Sequence, residues 1–341
     1  MTTTPNGLLL VLAVMVPFVG VLVAFLLGGR AAERIAGVTI LAGLSVVFAI
    51  TWAMGQSDGG LVYLLGGWVP PLGVALRADN FALVMMLMVA LVVAGIGLYA
   101  RSDFSTPAGV REARRPEVFW TLLLAIWGSL NLMFLSGDLF TLYVALELLT
   151  LSAIPLVSLD GRAETLRAAL RYLIFALLGS VFYLLGAVLI YGAYGTLDMS
   201  LLAERIGPGP VTWLAAALMT TGLLAKTALV PLHLWLPPAH AGAPAAASAV
   251  LSGLVVKGSW FLVVRLWLEV LPGVVTVPSA QLLGGLGAAA ILLGNLVALR
   301  QQRLKLLVAY STVAQIGYLF LMFPLAFGVG AAEMGGAQTA G

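Results

Sequence analysis

The chain has 341 residues, 62% of them hydrophobic and only 9% charged, with a mean hydropathy of +1.09. A soluble domain averages roughly 45–50% apolar and about 25% charged residues, so this composition excludes a water-soluble enzyme or binding module, and equally a disordered chain. The absence of cysteine excludes disulfide scaffolds, thiolate metal sites and cysteine-held iron–sulfur clusters, while two histidines and a net charge of +3 point to neither a metal cage nor nucleic-acid binding.

The expected fold is therefore an all-α integral membrane protein. A crossing takes about 20 apolar residues. Cutting the chain at its charges predicts crossings at 8–29, 35–54, 80–100 and 118–136, none with a charged side chain. A fifth run, 139–159, holds Glu147. Next come 172–192, 211–230 with Lys226, and 244–270 with Lys257 inside and Arg265 and Glu269 near its end. Runs 280–299 and 306–327 bring the set to about ten. The first run lacks a basic flank and exceeds a signal peptide's apolar region, so it reads as a retained helix. The longest polar connection, 101–117, is too short to fold alone, and no internal repeat is visible.

Basic residues gather in alternate connections and so set the expected orientation. Twelve of them, including Arg101, Arg111, Arg162, Arg167, Arg171, Arg300, Arg303 and Lys305, fall on one side, against Arg77, Arg205 and Arg265 on or near the other. This places the basic side in the cytoplasm and both termini outside a cell membrane.

Ionisable residues inside apolar runs carry the most information, because each costs about 2.5–3.5 kcal/mol at a helix centre. Glu147 follows Asp138, at the outer mouth of its run, by nine residues, which puts it roughly 13 Å deep. It is either a protonated carboxyl packed on a neighbouring helix or a working acid. Of only three lysines in the chain, two, Lys226 and Lys257, are in the membrane, whereas the arginines crowd the connections. Lysine, unlike arginine, can lose its proton when buried. Lys226 is near enough to the basic side to snorkel there; Lys257, some 14 residues from its mouth, is not. A buried Glu and Lys on adjacent helices form a bistable unit: paired, both are charged, and separated, either can turn neutral and exchange a proton.

Between the lysines runs KTALVPLHLWLPPAHAGAP, 226–244. Pro231, with three further prolines, breaks the helix, and freed backbone at membrane depth needs protein or a water-filled cavity around it. Both histidines, His233 and His240, lie here, either as proton-passing groups or as interfacial residues of a turn. In the last run Ser311, Gln315 and Tyr318 share one face, which fits a water-lined path and polar contact between helices equally well.

Four stretches, GGWVPPLGVALRADNFALVMML (66–87), SGDLFTLYVALELLTLSAIPLVSL (136–159), AKTALVPLHLWLPPAHAGAPAAASAVLSGLVVKGSWFLVVRL (225–266) and LKLLVAYSTVAQIGYLFL (304–321), resemble the antiporter-like proton-translocating family. It includes the D-type subunits of Mrp-type cation/proton antiporters, the antiporter-like subunits of complex I, and their equivalents in membrane-bound hydrogenases. The resemblance implies proton translocation through Glu147, its partner Lys226, and Lys257 leading to a central hydrophilic axis. His233 takes a polar position of a discontinuous seventh helix, and Asp138 opens the fifth. With no cysteine and no Rossmann or Walker motif, the chain itself is expected to carry no redox centre, catalytic group, cofactor or metal. Expected partners are other membrane subunits, of an antiporter or of an NADH:quinone oxidoreductase- or hydrogenase-type translocase. Protons move, with sodium or potassium as candidate coupled cations.

On this reading 1–117 holds three helices and a cytoplasmic loop, 118–270 the first five-helix repeat, and 271–341 part of a second, inverted repeat. Two departures stand out: Pro238 replaces a frequent acidic residue in WLPPAH, and the second repeat stops after its second helix. The expected function is a proton-conducting subunit. The alternative is a truncated structural or assembly subunit, which the costly retained charges disfavour. A membrane-embedded enzyme lacks the necessary His, Asp and Glu cluster.

Overall fold

The computed structural model describes residues 2–57, 59–106 and 114–327; Arg111 of the basic connections and the segment 328–341 lie outside these. In chain order the helices are α1 (Leu8–Leu27), α2 (Gly29–Gly55), α3 (Asn80–Asp103), α4 (Arg114–Leu135), α5 (Leu139–Val157), α6 (Ala163–Tyr194), the short α7 (Met199–Arg205), α8 (Pro210–Thr227), the short α9 (Leu236–Gly242), α10 (Ala245–Val270), α11 (Val277–Leu299) and α12 (Leu304–Phe327). Among the described residues, nine are long and apolar enough to cross a membrane. The tenth expected run is α8, whose 18 residues include Lys226 and four threonines and which stops at the predicted break.

Hydropathy did not anticipate two features. A hairpin of β1 (Leu61–Leu64) and β2 (Ala75–Ala78) pairs antiparallel, Leu61 opposite Ala78 and Leu64 opposite Ala75, in what reads as a mere connection. Strands of four residues are too short for an alternating pattern to stand out. The helix α7 is likewise hidden within a polar connection, its start capped by Asp198, which accepts from Leu201 N at 3.0 Å.

The corner between α1 and α2 rests on Gly28 and Gly29, both at positive φ (56° and 51°), where a side chain would be strained. The most buried spans are α4 and α10. Trp120, Trp127 and Phe134 of α4 are enclosed, and the buried amide of Asn131 donates to the Ala13 carbonyl at 2.7 Å, tying α4 to α1. Outer spans present bare apolar side chains instead, such as Leu26, Trp52 and Leu98, the arrangement a lipid solvent permits.

An ionic clasp holds the hairpin to the helices. Arg77 of β2 pairs with Asp198 at 2.7 Å and donates to Ser200, while Asp79, capping α3, receives Arg265 of α10 at 2.5 and 2.7 Å. Arg265 also pairs with Glu269 at 2.7 Å and lies over the rings of Phe81 and Phe261. Both halves line one cavity of about 180 Å³.

Candidate functional site

The site begins at the start of α5. The Asp138 carboxylate caps this helix, accepting from Phe140 N at 2.9 Å and Thr141 N at 2.8 Å, and so fixes its rotation. Glu147 follows about two and a half turns later, facing α6 and α8. Its Oε1 accepts from Lys226 Nζ at 3.1 Å and from the Ser180 hydroxyl of α6. The lysine also donates to Thr150 Oγ1 at 2.8 Å. Lys226 is 4% exposed, so its polar partners are these side chains and not bulk water.

Two local features let these groups meet. First, α6 and α8 cross at Gly179 and Gly222: a Cβ on Gly222 would stand 2.3 Å from the Gly179 carbonyl oxygen, and one on Gly179 would stand 2.6 Å from the Gly222 oxygen. Only glycine at both positions allows this approach, which lays the Lys226 stem along Gly179, the residue next to Ser180. Second, α8 ends at Thr227, one residue past Lys226. Ala228 turns left-handed at φ 58°, and the Val230–Pro231 peptide is cis. The break sets Lys226 in the last turn of a helix, where the free carbonyls favour a cation. Pro231 lies in the broken stretch just past this helix end. Trp235 Nε1 satisfies one of those carbonyls, Ala225 O, at 2.9 Å, and its ring stacks on Tyr172 of α6 at 4.2 Å.

Beyond the break lie the other predicted residues. His233 is buried, with its ring near the Pro231 backbone, on the wall of a cavity of about 600 Å³ that also touches Arg171, Arg303 and Tyr310. His240, on α9, is fully enclosed, with Nδ1 at 2.6 Å from the Ser248 hydroxyl of α10. Lys257 of α10 sits within electrostatic reach of His240 and donates to the Ser252 carbonyl. That carbonyl belongs to a π-helical turn, Leu251–Val255, and the Ser252 hydroxyl continues to Thr312 of α12 at 2.9 Å. Glu147, Thr150, Ser180 and Lys226 thus form one connected set, and Lys257, Ser252 and Thr312 a second. Among the described residues no direct hydrogen bond joins the two.

The polar face expected on the last run is placed otherwise: Gln315 and Tyr318 are exposed, Ser311 is half-buried, and Thr312 reaches α10 instead. The residues that sequence reasoning missed are Thr150, Ser180, Ser252 and Thr312. Thr150 was detectable, being one turn from Glu147 and therefore on its face. Ser180 carried no signal, because its role depends on the glycine crossing. No group of three or more potential metal-binding His, Cys, Asp or Glu occurs among the described residues.

Residues 136–335 match the family described as NADH:quinone oxidoreductase/Mrp antiporter, TM. The chain belongs to this family. Its matched region begins at the Ser136–Asp138 start of α5 and takes in the whole Glu147–Lys226–Lys257 arrangement. Among relatives, it is 37% identical over 290 residues to NADH-quinone oxidoreductase subunit N of Desulforudis audaxviator, covering 84% of this chain and 56% of that one. It is 30% identical over 321 residues to the D-type Na(+)/H(+) antiporter subunit of Alkalihalophilus pseudofirmus, covering 92% and 63%. Among solved structures, a chain of the membrane-bound sulfane sulfur reductase, an archaeal respiratory membrane complex, superposes with a TM-score of 0.84 at 26% identity, covering 94% of this chain and 64% of that one. The fold is that of the antiporter-like membrane subunits, and the chain spans about 56–64% of the length of these relatives.

Proposed function

We propose that the chain conducts protons as one subunit of a multisubunit membrane complex. The observation that carries this reading is the buried Glu147–Lys226 pair, held at the end of a broken helix with Thr150 and Ser180 around it. In the paired state both groups are charged and the lysine keeps its proton. If Glu147 turns away or is protonated, Lys226 loses its counter-charge in a dry site, and its proton affinity falls. Thr150 stays as a partner, able to accept from the ammonium or donate to the free amine. The released proton passes by way of hydrated side chains towards His240 and Lys257.

His233, on the wall of the arginine-lined cavity, offers access from that side, which we place in the cytoplasm from the basic bias of the connections. The relatives' names supply the candidate partners: membrane subunits of a cation/proton antiporter or of a quinone oxidoreductase. The driving reaction would then lie in those partners, with sodium or potassium as candidate coupled cations. A non-conducting assembly role is the alternative reading, and the retained buried charges oppose it.

The test is proton flux across vesicles carrying the native complex, comparing wild type with Glu147→Gln and Lys226→Ala at equal assembly. Loss of coupled flux in both supports conduction. Unchanged flux in both leaves the chain as scaffold.

A further inference from the structure

We propose that the arginine-rich side of α6 and α12 is a binding site for the phosphate headgroup of an anionic phospholipid. Two adjoining cavities, of about 600 and 380 Å³, open there and share Arg171, Pro238, Ala241 and Arg303 as common walls. Arg167 lines the second cavity, with Glu164 as the acidic side chain of its lining. These arginines come from elements far apart in sequence. Arg167 and Arg171 lie one turn apart on α6, and Arg303 immediately precedes α12. An excess of arginine on one membrane side explains their number but not their convergence on one hollow.

Their partners are also missing. Arg115 and Arg162 on the same side pair with Asp160, whereas Arg167, Arg171 and Arg303 make no side-chain hydrogen bond or ion pair among the described residues. A second polar group lies in the same hollow, the buried imidazole of His233. Unpaired guanidinium groups around a concave site match the planar oxygens of a phosphate, which arginine can bind through two parallel N–H bonds.

The surface beside the arginines indicates a lipid in particular. Continuing the face of Arg167 and Arg171 along α6, Ile174 and Leu178 come next at helical spacing, 66% and 50% exposed. From Arg171 to Leu178 the helix rises roughly 10 Å towards its apolar middle. The order is cationic groups first, then bare apolar side chains on the same stripe, which is the order of headgroup and acyl chain in a leaflet. Basic pockets between membrane helices are suited to such headgroups. This inference stands whether or not the chain conducts protons.

The experiment measures binding of phosphatidylglycerol, with phosphatidylcholine as the neutral-headgroup comparison, to the full chain as purified from the membrane. Wild type is compared with the double variant Arg171→Gln/Arg303→Gln and with Arg34→Gln/Arg300→Gln, which removes the same charge from exposed positions that line neither cavity. We expect the first double variant to weaken phosphatidylglycerol binding roughly 30-fold and the second by no more than about threefold. Ile174→Gln should weaken the lipid without changing any charge. Equal weakening by both double variants would reduce the effect to surface charge and overturn the proposal. So would inorganic phosphate binding as tightly as the lipid, which would mark a site for a free anion.

Discussion

Glu147 and Thr150, one turn apart on α5, share a single cation: the Lys226 ammonium lies 3.1 Å from the carboxylate and 2.8 Å from the hydroxyl. The pair is therefore a three-member cluster, and its neutral member remains in place when the charge on Glu147 changes. Thr150→Val keeps the shape and removes that member. A hydrogen bond to a charged group contributes about 1.5–3 kcal/mol, so proton flux should fall at least tenfold with assembly intact, and Thr150→Ser should restore most of it. Flux equal to wild type in the valine variant would show the hydroxyl to be passive.

The energetics of the pair can be read separately from transport. Removing one partner of a buried ion pair costs about 3–5 kcal/mol, because the other charge is left without compensation, whereas removing both is often close to neutral. Lys226→Met combined with Glu147→Gln should therefore unfold at a higher temperature than Glu147→Gln alone. A double-mutant cycle in detergent checks this. Additive losses would mean that Lys226 and Glu147 do not depend on each other.

The crossing of α6 and α8 should tolerate no added atom. Gly222→Ala sets a methyl 2.3 Å from the Gly179 carbonyl oxygen, with backbone and not a flexible side chain in the way. Overpacking of this kind costs about 1–3 kcal/mol. It should also push Ser180 away from Glu147, so reduced thermal stability and reduced flux are expected together. Gly192→Ala on the same helix as Gly179, where a Cβ meets nothing within 4 Å, is the control.

The ionic clasp between Asp79 and Arg265 predicts a pH dependence. Partial burial pushes the Asp79 carboxyl up, but the hydrogen bonds from Arg265 and Ala82 N and the Arg265 charge outweigh this and hold its pKa below the ordinary 3.8. A carboxyl whose pKa is lowered by folding stabilises the fold at any pH above its unfolded value, and that contribution disappears as pH falls through the lower, folded value. Melting temperature should therefore drop between about pH 5 and pH 3 by more in wild type than in Asp79→Asn. Because Asp79 is half exposed, the difference should be small and should shrink further in high salt.

The sequence was most legible where membrane physics leaves few choices. Charge-free runs gave the crossings, and the expense of burying Glu147, Lys226 and Lys257 singled them out. The prolines of 226–244 marked the break before α9. The less legible parts depend on partners distant in the chain. Ser180 matters because Gly179 meets Gly222 more than forty residues away, a relation that no periodicity encodes. The hairpin was hidden because four-residue strands are shorter than any usable window. On α12 the Ser311, Gln315 and Tyr318 spacing drew attention to one face, while the hydroxyl that reaches Ser252 is Thr312, the neighbour one position on. Helical spacing groups residues by face but does not say which face turns inward.

The π-helical turn at Leu251–Val255 has a geometric consequence for α10. It accommodates one more residue than an α-helical turn, so the stretch before it and the stretch after it are out of phase by roughly 100°. A single helical wheel drawn through Ala245–Arg265 would therefore misplace the residues on one side of this turn. Deleting one residue between 251 and 255 would restore an α-helical turn in an equally apolar helix, yet it would swing Lys257 by that same angle and take its ammonium off the Ser252 carbonyl. The length of this helix, counted to a single residue, is as much a part of the site as the identity of the lysine.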